Sequence, residues 1–102
     1  YIMRYDALHY KSKVIKSPNE INRILIENNF EWLLDCEIEN ANFEIRNNTI
    51  IWNYGNLYSG NWIYGIWKNG TFHGTFENGI FENGDFKGKF ISGIKLTDIS
   101  KN

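Results

Sequence analysis

Residues 55–93 read GNLYSGNWIYGIWKNGTFHGTFENGIFENGDFKGKFISG, and this stretch decides the fold. Glycines fall at 55, 60, 65, 70, 74, 79, 84, 88 and 93, in steps of five or four. Two residues after nearly every glycine stands a large apolar side chain: Leu57, Trp62, Trp67, Phe72, Phe76, Phe81, Phe86 and Phe90, with the series ending at Lys95. From Gly60 a 14-residue period aligns Gly60, Gly74 and Gly88, and with them Trp62, Phe76 and Phe90. A 19-residue period through Gly55, Gly74 and Gly93 fits as well. Such self-similarity marks an internal repeat. A helix is excluded, because these glycines would each cost about 1 kcal/mol in a helix interior. Disorder is disfavoured, because each bulky side chain contributes about 1.5–3 kcal/mol on burial, against about 0.5–1 kcal/mol lost per glycine. Regular β structure remains.

It can take two forms. In an antiparallel meander, the Asn-Gly pairs at 69–70, 78–79 and 83–84 are hairpin turns. In a β-solenoid, each five-residue step is one face of a coil. Turns at 78–79 and 83–84 would leave only Ile80-Phe81-Glu82 as a strand, too short to pair well in a meander. The solenoid is favoured on that ground, although tryptophan is large for a narrow coil and the four-residue steps must be absorbed at corners. The meander stands as the alternative.

Cys36-Glu37-Ile38-Glu39-Asn40 and Ala41-Asn42-Phe43-Glu44-Ile45 each set a small residue two places before a central Ile or Phe. They resemble units of pentapeptide-repeat β-solenoids, and the glycine array continues the pattern with Gly in the small position. The array is also similar to the glycine–tryptophan five-residue repeats of bacteriophage proteins, which implies a viral or mobile-element origin. The phrases Tyr58–Gly65, Phe72–Gly79 and Phe86–Gly93 resemble the opening of the MORN repeat, an aromatic–x–Gly–x–aromatic core followed by a turn glycine. That weaker resemblance implies the meander. The spacing here is shorter, and the later glycine pair of that family is absent.

Upstream of the array, Ser17-Pro18-Asn19-Glu20 is a capping box: serine as N-cap, proline at the first helical position and glutamate three residues on. Ile21, Ile24 and Leu25 follow at helical spacing, and Asn28-Asn29 can close the helix in a left-handed conformation, which predicts a helix over 18–28. Before it, Met3, Tyr5 and Ala7 lie on one side of a predicted strand within 1–16. After it, Phe30, Trp32, Leu34, Cys36 and Ile38 alternate as one buried face of a second strand. The fold class is α+β: one domain over 1–102, with a strand–helix–strand cap over 1–45, the repeat array over 46–93 and a polar tail over 94–102. In an array only nearest neighbours touch, so its ends need caps.

Length and composition narrow the function classes. With 102 residues, 23% charged and 42% hydrophobic, the chain is globular in balance. A net charge of −1 gives no electrostatic bias toward nucleic acid or anionic membrane. No apolar run approaches the roughly 18 residues that span a bilayer. The start, Tyr1 to Asp6, lacks the basic-then-apolar order of a signal peptide. Cys36 is the single cysteine, so no intrachain disulfide framework exists and cytosolic folding is the default. The 15 asparagines, as many as the isoleucines, suit an AT-rich genome. The expected location is the cytoplasm, that of the host if the protein is viral, or a virion.

Nothing in the sequence points to catalysis, a cofactor or a metal. His9 and His73 have no partner at metal-ligand spacing, Cys36 shares the buried parity, and no Gly-Lys-Ser/Thr follows the glycines. Two features point to a protein partner instead. Between Arg23 and Arg46 there is no Lys or Arg, and on a strand Glu31, Asp35, Glu37 and Glu39 would lie in an exposed row about 7 Å apart. That row is either a solvated face paired with Lys11 and Lys13, or a patch that docks onto a basic, nucleic-acid-binding protein whose phosphate site it occupies. Tyr54, Tyr58 and Tyr64 lie off the glycine–aromatic register, and tyrosine is favoured at interfaces. The expected function is a non-enzymatic interaction module that binds and inhibits a host protein, of the anti-defence type to which anti-CRISPR proteins belong. It would not contact nucleic acid directly. The alternative is a structural component of a phage particle, self-associating through the repeat end.

Overall fold

The computed structural model describes residues 3–99. A hairpin of β1 (Tyr5–Tyr10) and β2 (Lys13–Ile15) leads into α1 (Pro18–Glu27) and the single-turn α2 (Glu31–Leu34). The long strands β3 (Glu37–Arg46) and β4 (Thr49–Ser59) follow. Eight two-residue strands come next: β5 (Asn61–Trp62), β6 (Ile66–Trp67), β7 (Thr71–Phe72), β8 (Thr75–Phe76), β9 (Ile80–Phe81), β10 (Asp85–Phe86), β11 (Lys89–Phe90) and β12 (Ile94–Lys95). A short α3 (Leu96–Ile99) ends the described chain. Residues 100–102 of the expected tail, and the first two residues of the start, lie outside the described residues.

The repeat is a β-solenoid. Every pairing within it is parallel: Trp52 sits beside Trp67 and Trp67 beside Phe81, Leu57 beside Phe72 and Phe72 beside Phe86, Trp62 beside Phe76 and Phe76 beside Phe90. Parallel neighbours exclude the meander, and the Asn-Gly pairs are corners rather than hairpin turns. Of the two periods, 14 residues is the coil, with 15 in the first turn, and Ile51, Ile66, Ile80 and Ile94 mark about three turns. Each face contributes two rungs per turn. On the face of Trp62, Thr75 N–H donates to Gly60 O at 2.9 Å and Glu77 N–H donates to Trp62 O at 2.8 Å.

Glycine is required where successive coils touch. A Cβ at Gly70, Gly79 or Gly88 would lie 1.9, 2.1 or 2.0 Å from the carbonyl oxygen of the glycine one turn earlier. Below the first coil, Ala41 underlies Gly55 and Cys36 underlies Gly60, so the small residues of the two pentapeptide-like units do continue the glycine columns. The rings fill the interior in a herringbone. Along the axis they stack nearly parallel: Trp52–Trp67 at 4.7 Å and 10°, Trp62–Phe76 at 5.9 Å and 10°, Phe76–Phe90 at 5.5 Å and 11°, and Phe72–Phe86 at 5.5 Å and 5°. Across the coil they meet edge to face, Trp62–Trp67 at 80° and Trp67–Phe72 at 89°. Both arrangements suit the ring quadrupole, and this is how tryptophan fits the coil. Trp52 Nε1–H donates to Gly55 O, whereas the buried Nε1 atoms of Trp62 and Trp67 have no acceptor among the described residues.

The N-terminal segment matches expectation at α1 and departs from it after. Ser17 is the N-cap, its Oγ accepting from Glu20 N–H at 3.3 Å, and Asn29 takes the left-handed φ of 64° that ends the helix. The strand predicted over Phe30–Ile38 is instead a helical turn followed by β3. Around the turn the buried residues are Phe30, Leu33 and Cys36, three apart, with Ile38 buried next on β3, while Trp32 and Leu34 are only partly buried. In so apolar a run the alternation is ambiguous, and tertiary contacts choose. Arg4 decides it: its guanidinium donates to the carbonyls of Leu33, Leu34 and Cys36 at 2.9, 3.2 and 2.8 Å, capping the turn at its negative end. β3 pairs antiparallel with β4 and parallel with β1, so Ile38 lies beside Leu57 and Phe43 beside Trp52 under the first coil.

Candidate partner-binding face

The outward side of β3 and β4 carries a cluster of hydrogen-bonded polar side chains. Its register comes from a two-residue turn at Asn47 and Asn48, both left-handed (φ of 52° and 57°), as a type I′ hairpin requires. Both strands bend where Asn40 (φ 57°) meets Gly55, whose missing Cβ would lie 2.8 Å from Ala41 Cα. The bend divides the face into two groups.

On one side are Glu37, Glu39, Asn56, Tyr58 and Ser59. The Tyr58 hydroxyl donates to Glu39 Oε1, and Asn56 Nδ2–H donates to the same oxygen at 3.2 Å. Ser59 Oγ–H donates to Glu37 Oε1 at 3.4 Å, and the His73 ring lies 5.9 Å from that of Tyr58. These bonds favour the carboxylate, so Glu39 is held below the ordinary glutamate range, chiefly by the Tyr58 hydroxyl and then by Asn56. The Tyr58 phenol is correspondingly raised.

On the other side, Tyr54 donates to Asp6 Oδ2 at 2.5 Å, and Asn42 Nδ2–H donates to that oxygen at 2.9 Å. Asn53 Nδ2–H donates in turn to Asn42 Oδ1 at 3.1 Å. Asp6 is lowered by Asn42 first and Tyr54 second, and the Tyr54 phenol is raised. A depression of about 490 Å³ lies at the bend, lined by Met3, Glu39, Asn40 and Asn56. Tyr54 and Tyr58 keep 44% and 40% of their surface exposed, so both remain available to a partner.

The predicted residues are therefore only partly gathered. Glu37, Glu39 and Tyr58 meet, with Tyr54 across the bend. Tyr64 stands apart, 54% exposed beside Ile63, with no hydrogen bond among the described residues. Glu31 opens α2, which packs on β5, and Asp35 is the residue that ends that turn, so the four carboxylates do not form one row. Nor do Lys11 and Lys13 pair with them, since both sit at the far tip of the β1–β2 hairpin. Asp6, Asn42 and Asn56 are the residues that sequence reasoning missed. The signal for Asn56 is the Asn47–Asn48 turn, whose register sets Glu39 opposite Asn56, whereas Asn42 comes opposite Tyr54 only through a register shift next to Phe43 that the sequence does not announce.

No group of three His, Cys, Asp or Glu side chains among the described residues could hold a metal ion. Cys36 is buried, and desolvation pushes its thiol up to about 11. His9 does neighbour Glu44 across β1 and β3, but the Glu44 carboxylate is taken by Arg46. No helix among the described residues is long and apolar enough to cross a membrane. No protein-family model, curated protein or solved structure matches the chain.

Proposed function

We propose that this chain is a non-enzymatic protein-interaction module of viral or mobile-element origin, which binds and inhibits a host protein in the host cytoplasm. The observation that carries the reading is the paired acid–tyrosine face. Tyrosines held by carboxylates on a bent, doubly hydrogen-bonded strand pair are rigid amphipathic contacts that lose little conformational entropy on docking. Glu37 and Glu39, with Glu31 and Asp35 nearby in sequence, bias that face toward a basic partner such as a nucleic-acid-binding protein. The N-terminal elements serve as the solenoid's cap, since β3, Ala41 and Cys36 cover the first coil and leave one end of the ladder open.

The test is affinity capture from host lysate with the intact chain, compared with Glu37→Lys plus Glu39→Lys and with Tyr58→Phe. A specific partner, lost on charge reversal and weakened by salt, is the expected result. Equal capture by all three proteins removes the face from the mechanism. A second reading, as a structural component of a particle, is favoured by the apolar last coil, where Ile91, Ile94 and Leu96 are 57%, 50% and 38% exposed. Copurification with particles, together with self-association that Ile91→Lys abolishes, would select it.

A further inference from the structure

A second concavity lies away from the acid–tyrosine face. It lies where the β1–β2 and β3–β4 hairpins turn side by side, and it measures about 920 Å³. The two turns are neighbours because β1 and β3 run parallel, with His9 beside Glu44. Both are left-handed two-residue turns, Lys11-Ser12 and Asn47-Asn48. Lys11, Lys13 and Arg46 line the cleft with Asn47 and Asn48, and with Asn28, whose side-chain amide donates to Ile24 O and the Tyr10 hydroxyl. Among the described residues that line it, Glu44 is the one carboxylate, and Arg46 pairs with it. Lys11 and Lys13 have no ion pair among the described residues, although the Lys11 ammonium lies 5.2 Å over the Tyr10 ring.

Two lysines, an arginine and the asparagines Asn47 and Asn48 thus line one concave site, which is rich in donors for a protein of net charge −1. Neither lysine packs in the core, and although both also border Glu20 and Glu27 across a neighbouring depression, those carboxylates pair with Arg23. A volume near the upper end of small-molecule sites suits a ligand of nucleotide size. Ammonium and guanidinium donors suit the oxygens of a phosphate. We propose that this hairpin-tip cleft binds a small phosphate-bearing anion of nucleotide size, with Lys11, Lys13 and Arg46 as its phosphate contacts. The site is independent of the acid–tyrosine face and of whatever partner that face takes.

The experiment is an amide-resolved NMR titration of the full chain with pyrophosphate, then with a nucleoside diphosphate, against sodium chloride at equal ionic strength. The expected result is saturable shifts at residues 11–13 and 46–48, with tighter binding of the nucleoside diphosphate. Lys13→Ser combined with Arg46→Ser should weaken binding at least tenfold, whereas Lys68→Ser, on the solenoid wall, should leave it unchanged. Shifts that do not saturate, that chloride reproduces, or that persist in the double variant overturn the assignment. The wild-type titration decides the matter alone if the double variant fails to fold. A third arm uses a short single-stranded oligonucleotide: saturation by it but not by either small anion would overturn the proposal in favour of a nucleic-acid backbone.

Discussion

Alanine at position 74 isolates steric contact between coils from backbone strain, because Gly74 is not among the glycines with a positive φ. The added Cβ would lie 2.4 Å from Gly60 O and 2.7 Å from Leu57 Cδ2. Ordinary contact begins about 1 Å farther out, so the two coils must separate locally by about that amount. Thr75 N–H to Gly60 O and Glu77 N–H to Trp62 O, now 2.9 and 2.8 Å, would then pass beyond hydrogen-bonding range. Two rungs at about 1 kcal/mol each, with an overpacking cost of about 1–3 kcal/mol, give a destabilisation of about 3–5 kcal/mol. That is a large part of the roughly 5–15 kcal/mol that stabilises a domain. At about 4 °C or more per kcal/mol for a chain of this size, the melting temperature should fall by at least about 12 °C. The assay is calorimetric or circular-dichroism melting of Gly74→Ala beside Lys68→Ala, an exposed control that should stay within about 0.5 kcal/mol of wild type. A Gly74→Ala protein melting within about 3 °C of wild type would show that the glycine columns are not contact-limited, and the packing account would be wrong.

Three further outcomes follow from individual groups. Trp62→Phe removes a buried Nε1–H without an acceptor among the described residues, which offsets part of the lost burial, whereas Trp52→Phe also loses the bond to Gly55 O. In urea unfolding, Trp52→Phe should therefore be the more destabilising of the two by about 1 kcal/mol. Glu39 should titrate below the ordinary glutamate value of 4.5, and Tyr58→Phe should move it back up, as read by carboxyl NMR. Because the folded pKa is the depressed one, the stability this bond contributes is present above 4.5 and is lost as pH falls through the lowered folded value. The Cys36 thiol, buried and raised to about 11, should resist a thiol reagent at pH 8 in the folded protein and react promptly in denaturant. Prompt reaction in the native state would contradict its placement under Gly60.

The sequence by itself determined the regular β array and the first helix, because both rest on short-range periodicity, while the parallel pairing that chose the solenoid over the meander is tertiary. A glycine two residues before each ring is a local statement that backbone must touch backbone while the ring turns inward. The Ser17 capping box is likewise a local statement about orphan amides. Tertiary structure decided what depended on distant partners. The run Phe30–Ile38 is apolar at six of its nine places and fits two periods. Arg4, 29 to 32 residues away in sequence, selects the helical turn by bonding its last carbonyls. The same long-range choice broke up the expected carboxylate row, leaving Glu31 and Asp35 at the two ends of the α2 turn while Glu37 and Glu39 joined Ser59 and Tyr58. Asp6, Asn42 and Tyr54 meet only because β1 pairs with β3 and β3 with β4. Hydrogen bonds between strands carry no periodic trace in any one of them, so those meetings exist only in the folded sheet.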